Sequence, residues 1–370
     1  MLKHCWAMDT QQALATAVES LSGHPVRAWE HLTSSSRSQV ARATLNPAGT
    51  LIVKTPTSMG PGHVRERAAL EVLNALGATN VPRLLAAGDD PPLLLLEDVG
   101  AGPSLADHLL SDDPARAALA VRRWAESVAR LQARSLSAGP RFDAALTALA
   151  PAERPAMDSS GESATQAAAA LAELMPQLGV EPTAAALVEF VATAVLDEGP
   201  RALTPGDVCP DNNVQRGDEL VLIDFEWAEY RHVAWEAAYL TVPWPTCWCS
   251  WRLPEEVTAA AVAAWQGILT PLLSREAAAG LPEAVRRATA AWALITTAWS
   301  LPRAMSEDNP APGKPERPQP DRRAVIQNRL AVAVAHTPAS SELHRLAAES
   351  LRATRERWGA RELPLAPAWR

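Results

Sequence analysis

Three side chains that carry oxygen ligands follow one another within residues 203–227. Asp207 comes after a glycine and begins a loop, and Asn212 lies five residues further along. The apolar run of residues 220–223 then predicts a strand that ends on Asp224. Carboxylate and amide oxygens are the ligands that Mg²⁺ prefers, so this order is typical of a cation site. The alternative is a polar turn before a strand, because aspartate and asparagine are common turn formers.

The first hundred residues predict a small antiparallel sheet with one internal helix. An N-terminal helix is indicated over residues 10–21. Residues 60–77 have helical periodicity and end on a glycine, and residues 81–100 predict two strands around a Pro-rich turn. A meander of three alternating strands is predicted over residues 26–32, 38–45 and 50–56.

Beyond Gly100 the pattern becomes mostly helical. Ser104 can cap a short helix, and residues 113–136 predict a long amphipathic one. Residues 137–162 form a loose segment rich in Ala, Pro and Ser, and residues 302–323 predict a long loop. Further helices are expected over residues 163–175, 181–197, 254–268, 272–280, 282–300, 322–336 and 340–358.

The predicted fold class is therefore α+β. A small β-rich lobe covers residues 1–100, a large mainly helical lobe covers residues 101–370, and a hinge near residues 97–101 joins them. A cleft between two lobes suggests nucleotide binding. Phosphate transfer would need a carboxylate for the acceptor hydroxyl, oxygen ligands for Mg²⁺, and a cation on the remaining phosphates. The sequence offers each of these groups.

Composition limits the possible partners. The chain has 370 residues, of which 48% are hydrophobic, as is typical of a globular protein. Its formal net charge of −8 argues against a nucleic-acid binder, which would need a basic face. The first residues lack a signal-peptide core, and no apolar run has membrane-spanning length, so a soluble cytoplasmic protein with no membrane partner is expected. The four cysteines do not resemble a disulfide framework, and the pair Cys247 and Cys249 is half of a metal site at best.

Three motifs resemble the aminoglycoside phosphotransferase family of protein-kinase-like small-molecule kinases. "PGDVCPDNNV" resembles the family's His-Gly-Asp-x-x-x-x-Asn catalytic loop, and "LIDFEWAEYRHVAWEAAYL" resembles its metal-binding segment with the following helix. "LLLLEDVG" resembles the hinge. The resemblance extends from about residue 26 to residue 245 and implies a protein-kinase-like bilobal fold.

The resemblance implies a role for each motif residue. Asp207 would be the catalytic base, or the carboxylate that orients the acceptor, and Asn212 and Asp224 would be Mg²⁺ ligands. The nucleotide, ATP or GTP, would be held by Lys54 on its α- and β-phosphates. Glu66 would pair with Lys54.

Other roles follow from the same resemblance. Backbone groups of Glu97 and Val99 would hold the adenine edge. Ser35 and Ser36, in a Ser-rich turn, would cover the phosphates in place of a Gly-rich loop. Glu236 would replace the aspartate that anchors the catalytic loop.

Physical arguments bear on the lysine and its partner. Lys54 alternates with Ile52 on one face of a predicted strand, and the alternative is a solvated lysine at a sheet edge. Glu71 competes with Glu66 for the pairing role. Glu66 shares a helix face with Leu70, so we expect Glu66 to turn inward and Glu71 to be solvated.

Several positions depart from the family or lie beside its motifs. Pro205 stands where the family has histidine, and Cys209 lies inside the loop, which raises the hypothesis of sensitivity to oxidation or alkylation. Arg231 and His232 are interpreted as surface residues, with contact to phosphate or acceptor as the alternative.

In the resembling family, inserted helices such as those after residue 136 form the wall of a small-molecule pocket, so the resemblance implies a small-molecule acceptor with a hydroxyl group, such as an antibiotic or a metabolite. Glu226 and Glu229 are either charges for an amine-bearing acceptor or a solvated turn. The loop over residues 302–323 is either a connection or a lid. Five tryptophans form either a core plug or a pocket wall, and they are Trp227, Trp235, Trp244, Trp248 and Trp251.

Three functions fit this pattern. The leading hypothesis is a Mg²⁺-dependent kinase of a small-molecule hydroxyl. A nucleotide-binding pseudokinase without turnover is the alternative suggested by Pro205 and by the absent Gly-rich loop. Transfer of an AMP group is the third.

Overall fold

A computed structural model describes residues 8–34, 37–47, 49–58, 60–306 and 317–370 of the chain. The N-terminal part is a five-stranded antiparallel sheet with two helices. The strands are β1 (Val26–Ser34), β2 (Ser38–Leu45), β3 (Gly49–Pro56), β4 (Leu84–Asp89) and β5 (Pro92–Glu97), in the spatial order β1-β2-β3-β5-β4. The helices are α1 (Met8–Ser22) and α2 (Pro61–Ala75).

The two faces of this sheet pack against different parts of the molecule. Leu51 and Val53 of β3 belong to a small core with Leu14 and Val18 of α1. Since side chains alternate along a strand, Lys54 of β3 points to the opposite face, where β5 contributes Leu94 and Leu96 to the main core. A sheet that is buried on both faces therefore presents its lysine to the rest of the chain and not to bulk solvent.

The remainder is mainly helical. Its helices are α3 (Leu105–Leu109), α4 (Pro114–Ser135), α5 (Gly139–Leu149), α6 (Ser160–Leu174), α7 (Ala184–Ala194), α8 (Ala234–Thr241), α9 (Glu255–Leu269), α10 (Arg275–Met305), α11 (Arg322–Ala335) and α12 (Glu342–Trp358). Two short strand pairs lie between α7 and α8. They join β6 (Arg201–Thr204) to β9 (Glu229–His232) and β7 (Asn213–Arg216) to β8 (Glu219–Leu222). No helix among the described residues combines the length and apolar character that a membrane crossing requires.

Helix α4 is the support beneath the segment of residues 203–227. Asp113 caps its start by accepting a hydrogen bond from the Arg116 N–H, and Pro114 occupies the first turn, where no donor is lost. Its buried face holds the segment directly. The Trp124 indole donates to the Val208 carbonyl at 3.1 Å, and the Ser127 hydroxyl donates to the Leu220 carbonyl at 2.6 Å.

The predicted fold class is confirmed, and every strand predicted in the first hundred residues is present. Two expectations about helices are wrong. Residues 272–280 and 282–300 do not form separate helices, because α10 runs through Pro282 as far as Met305 and so includes the start of the expected 302–323 loop. The expected loose segment contains α5, which is anchored by buried Phe142 and Leu146, one helical turn apart.

Candidate active site

Lys54 lies at the centre of an ion-pair network that connects the sheet with α2 and with the segment of residues 203–227. Its Nζ is 2.6 Å from Oε2 of Glu66 on α2 and 2.5 Å from Oδ1 of Asp224. The backbone N–H of Phe225 donates to the other oxygen of Glu66 at 3.4 Å. Glu66, and not Glu71, is therefore the partner of Lys54, since Glu71 pairs with Arg67.

The network keeps the lysine charged. Only 8% of Lys54 is exposed, which rules out a solvated lysine at a sheet edge. Burial alone would lower the pKa of Lys54, but the carboxylates of Glu66 and Asp224 outweigh it, so the pKa is raised above its ordinary value. Lys54 could bind a phosphate group if the Asp224 carboxylate turned away to bind a metal ion, because Glu66 would still pair with the lysine.

Asp224 has an uncommon backbone conformation. It follows β8 by two residues and has a φ of 66°, in the left-handed region that few non-glycine residues adopt. Aspartate and asparagine tolerate this region better than other side chains because their short polar groups can bond locally. The turn directs the Asp224 carboxylate toward Lys54 and away from the line of the strand.

Gly206 determines how closely the loop that carries Asp207 approaches the Asp224 segment. Its φ is +78°, and a Cβ atom placed on it would lie 1.8 Å from the Trp227 carbonyl oxygen. Only glycine fits this contact. The loop is also held from the other side, because Arg231 donates to the Gly206 carbonyl at 2.9 Å.

Asp207 is half-buried beside Gly206. Its Oδ1 accepts a hydrogen bond from the Thr246 hydroxyl at 2.8 Å. Burial raises the pKa of Asp207 above its ordinary value, hydrogen bonds from Cys209 and Thr246 oppose this, and the nearby Asp224 charge adds to it. A carboxylate with a raised pKa is a stronger base, which suits a group that takes a proton from a hydroxyl.

Asn212 is oriented by its own loop. Its Nδ2 donates to the Asp207 carbonyl at 3.0 Å, which turns the amide so that its oxygen is left for another partner. The Ile223 N–H donates to the Asn212 carbonyl at 3.0 Å, so the residue before Asp224 is tied to Asn212 through the backbone. The two predicted metal ligands thus line one cleft with Lys54.

The cleft between the sheet and the helical part has a volume of about 350 Å³. Its apolar lining comes from both sides, and the side chains are Val40, Ile52, Leu96, Val214 and Ile223. Glu97 and Val99 form its edge, where β5 leads into the helical part. The carboxylate of Asp98 between them bonds to Arg42 at 2.6 Å, which holds this edge against β2.

The Ser-rich turn predicted to cover the phosphates lies between β1 and β2. Ser35 and Ser36 lie outside the described residues. The next residue, Arg37, lies over the cleft, 2.5 Å from the Glu226 carboxylate and 5.7 Å from the ring centre of Trp227. This contact was not predicted from the sequence, where the one signal for it is a lone arginine in a Ser-rich turn.

A family assignment can be made from the sequence. The profile of the Phosphotransferase enzyme family matches residues 28–278, well over half of the chain. The chain belongs to the phosphotransferase enzyme family. No curated protein matches it significantly.

The fold of this phosphotransferase is shared with solved structures of low sequence identity. A choline/ethanolamine kinase family protein from Mesorhizobium loti aligns with a TM-score of 0.54 at 16% identity, over 94% of this chain and 99% of that one. The gentamicin complex of APH(2'')-IIa gives 0.52 at 14%, over 93% and 99%. Macrolide 2'-phosphotransferase MphH from Brachybacterium faecium gives 0.50 at 15%, over 88% and 98%.

A buried ion-pair cluster around Arg231 anchors the candidate catalytic loop at Gly206. Arg231 is 4% exposed, and its guanidinium lies 2.6 Å from Glu236 and 2.9 Å from Glu229. The sequence interpretation of Arg231 and His232 as surface residues is therefore wrong. Glu226 and Glu229 are also buried, so neither belongs to a solvated turn. Carboxylate partners make burial of the arginine possible.

Removing Glu236 should destabilise the fold strongly. In Glu236→Ala, Arg231 keeps one carboxylate and loses its closest one, and we expect the free energy of unfolding to fall by about 3 kcal/mol or more. Urea unfolding measures this. In the control Glu362→Ala, the lost partner of Arg252 is 80% exposed, and the expected change is below about 1 kcal/mol. Equal losses in the two variants would contradict the anchoring role.

His232 makes the stability depend on pH. Burial, together with Arg201 and Arg287, lowers the pKa of His232 from 6.5 to about 4. Its Nδ1 accepts from the Ala234 N–H at 3.1 Å, which fixes a neutral tautomer. A lowered folded-state pKa means that this stability is complete above about pH 6.5 and is lost as the pH falls toward about 4, because the unfolded chain binds the proton first.

We therefore expect His232 to contribute a loss of about 2 kcal/mol between about pH 7 and about pH 5. Urea unfolding at the two pH values measures the difference. His232→Asn keeps an acceptor near the Nδ1 position and cannot titrate, so its loss over the same range should be smaller by that amount. Parallel losses in the wild type and the variant would show that His232 titrates normally.

The Trp-rich stretch of residues 227–251 contains both buried tryptophans and an exposed one. Trp235, Trp244 and Trp251 are buried and pack in the main core, as a core plug would. Trp227 is 51% exposed beside Gly206, so it is placed at the open side of the catalytic loop. Thr246, in the same stretch, holds Asp207, and no sequence signal pointed to it.

Proposed function

We propose that the protein is a small-molecule kinase that transfers the terminal phosphate of ATP or GTP to a hydroxyl group. The observation that carries this proposal is the meeting of Lys54 with Glu66 and Asp224 in the wall of a cleft that Asn212 also lines. Asp207 lies on the same loop as Asn212, with its carboxylate held by Thr246. These residues are candidates for each group that phosphate transfer requires, which supports the proposal.

The nucleotide would occupy the cleft between the sheet and the helical part. Its base would lie between Ile52 and Ile223, with its polar edge on the backbone of Glu97 and Val99. Lys54 would bind the phosphates that remain with the nucleotide. The family and the cleft support this placement, and the roles of Glu97 and Val99 remain predictions.

The residues present fit a magnesium ion. Asp224 offers a carboxylate oxygen, and Asn212 offers an amide oxygen that its hydrogen bond to the Asp207 carbonyl has oriented. Both are the hard oxygen ligands that Mg²⁺ prefers. When bound there, the ion would neutralise charge on the transferred phosphate.

Asp207 would act on the acceptor. Its carboxylate would hold the acceptor hydroxyl in line with the phosphate and take the hydroxyl proton as the new oxygen–phosphorus bond forms and the bond to the leaving nucleoside diphosphate breaks. The raised pKa of Asp207 favours this transfer. Thr246 would keep the carboxylate from turning away.

The acceptor is proposed to be a small molecule, such as an antibiotic or a metabolite. Solved structures of the same fold are named for choline or ethanolamine, a macrolide and gentamicin, which are all small molecules. The exposed Trp227 beside the loop offers a flat surface for a ring or an amine. An enzyme that uses ATP in this way would work in the cytoplasm.

A hydroxyl library tests the function. The purified protein is incubated with Mg²⁺, ATP or GTP, and pools of alcohols, sugars, aminoglycosides and macrolides, and products are detected by mass. A product heavier by one phosphate, made by the wild type and not by Asp207→Asn, supports the proposal. A product heavier by AMP would replace it with nucleotidyl transfer. Nucleotide binding with no product and no Mg²⁺-dependent hydrolysis would support a pseudokinase.

A further inference from the structure

Two cysteines and one aspartate meet where the loop of Asp207 and Asn212 contacts the segment of Cys247, and a third cysteine lies next to Cys247. The ligand atoms of Cys209, Asp211 and Cys247 all lie within 4.8 Å of one another. The Cys247 sulfur is 3.7 Å from Oδ1 of Asp211 and 2.9 Å from the sulfur of Cys249. In the sequence, Cys247 and Cys249 have no further ligand nearby, and the fold brings two to Cys247 from a different segment, Cys209 and Asp211.

Hydrogen bonds hold both segments of this cluster in position in the absence of a metal ion. On one side, the Trp248 indole donates to Oδ2 of Asp211 at 2.8 Å and turns its other oxygen toward Cys247. On the other side, Arg329 donates to the Pro245 carbonyl at 2.7 Å and fixes the backbone that carries the two cysteines. Such hydrogen bonds to a ligand are the usual support of a protein metal site.

We propose that Cys209, Cys247 and Asp211 bind a thiophilic divalent cation, for which Zn²⁺ is the best match, with Cys249, whose sulfur adjoins that of Cys247, as the fourth ligand after a shift of its side chain. Zinc takes four ligands in a tetrahedron and accepts both thiolate sulfur and carboxylate oxygen. In a tetrahedron with zinc–sulfur bonds of about 2.3 Å, two neighbouring sulfur ligands lie about 3.8 Å apart. The 3.7 Å between the Cys247 sulfur and Oδ1 of Asp211 matches this, whereas the 2.9 Å between the Cys247 and Cys249 sulfurs is about 1 Å shorter, so Cys249 has to move when it binds the ion.

The chemistry of the ligands separates this site from the magnesium site. Thiolates select zinc and its neighbours in the transition series, whereas Mg²⁺ requires oxygen ligands. Binding converts the three thiols to thiolates and releases their protons to solvent. Asp211 lines the open cleft, which provides a path for the ion. The bound ion would clamp the catalytic loop to the Trp-rich stretch, and the site does not depend on the proposed kinase activity.

Metal titration of the reduced full-length protein tests the proposal. Co²⁺ is the spectroscopic probe and Zn²⁺ the competitor, both in excess Mg²⁺ so that oxygen sites are filled. We expect one equivalent of Co²⁺ to bind with a near-ultraviolet charge-transfer band, which requires thiolate ligands, and Zn²⁺ to abolish that band. Cys247→Ser should weaken binding by at least about 100-fold, and Asp211→Asn by about 10-fold.

Cys5→Ser is the matched control because Cys5 is the remaining cysteine of the chain, and it should bind Co²⁺ like the wild type. Thermal melts verify that the variants fold. If Cys247→Ser does not fold, the Co²⁺ affinity of Asp211→Asn decides the outcome. Absence of the charge-transfer band in the wild type overturns the proposal, as does an equal loss in Cys5→Ser. Loss of two thiols to a disulfide, with no metal bound after reduction, would assign the cluster to redox chemistry instead.

Discussion

Replacing Asp207 with asparagine is expected to lower turnover by about 100- to 10,000-fold while leaving nucleotide affinity within about threefold of the wild type. Asparagine has nearly the same shape and can still accept the hydrogen bond from Thr246, so the loop should keep its position. It cannot take a proton from the acceptor. Steady-state kinetics with the best acceptor from the library, and binding of a fluorescent nucleotide, measure the two quantities.

The same variant separates a base from a structural residue. A loss confined to kcat, with nucleotide affinity and thermal stability maintained, assigns Asp207 to the chemical step. Phosphate transfer at the wild-type rate would remove Asp207 from the mechanism. Asp218→Asn is a suitable control, because Asp218 is 94% exposed and pairs only with Arg123 among the ion pairs of the described residues.

Replacing Asp224 with asparagine should affect both binding and turnover. Asparagine tolerates the positive φ of this position, so the backbone should be preserved where alanine would strain it. The variant loses the carboxylate that is proposed to hold Mg²⁺, and Lys54 keeps Glu66. We expect affinity for the Mg²⁺–nucleotide complex to fall at least about 10-fold and kcat at least about 100-fold.

Nucleotide binding measured with and without Mg²⁺ tests this prediction. In the wild type, Mg²⁺ should strengthen binding, and in Asp224→Asn it should have little effect. An unchanged response to Mg²⁺ would show that the ion is held elsewhere. Asp207→Asn and Asp224→Asn are therefore distinguishable, since only the second should remove the effect of Mg²⁺ on binding.

The N-terminal sheet could be predicted almost completely from local patterns. Alternation along β3 indicated that Lys54 and Ile52 share a face, and the helix period indicated that Glu66 turns inward with Leu70. These signals work because each concerns neighbours a few residues apart. The catalytic segment was equally accessible, since Asp207, Asn212 and Asp224 lie within one short stretch of sequence.

Features that depend on distant partners could not be predicted. Burial of Arg231 depends on Glu229 and Glu236, and an arginine in the sequence alone favours solvent. Separate helices were expected over residues 272–280 and 282–300, but α10 runs through Pro282, which costs about 3 kcal/mol inside a helix, and buries apolar side chains such as Leu294 and Ile295. The contacts of Cys209 with Cys247 and of Thr246 with Asp207 join segments that are far apart in sequence.

The contact between Gly206 and the Trp227 carbonyl limits how this protein can change. Together with the backbone hydrogen bond from Ile223 to Asn212, it attaches the loop of Asp207 to the segment of Asp224 at both ends. The spacing between the proposed base and the proposed cation ligands is then set by the main chain and not by side-chain rotamers. A new acceptor cannot be accommodated by separating these groups. If Asp207, Asn212 and Asp224 act as proposed, we expect a new acceptor to be accommodated by changes in the elements around them.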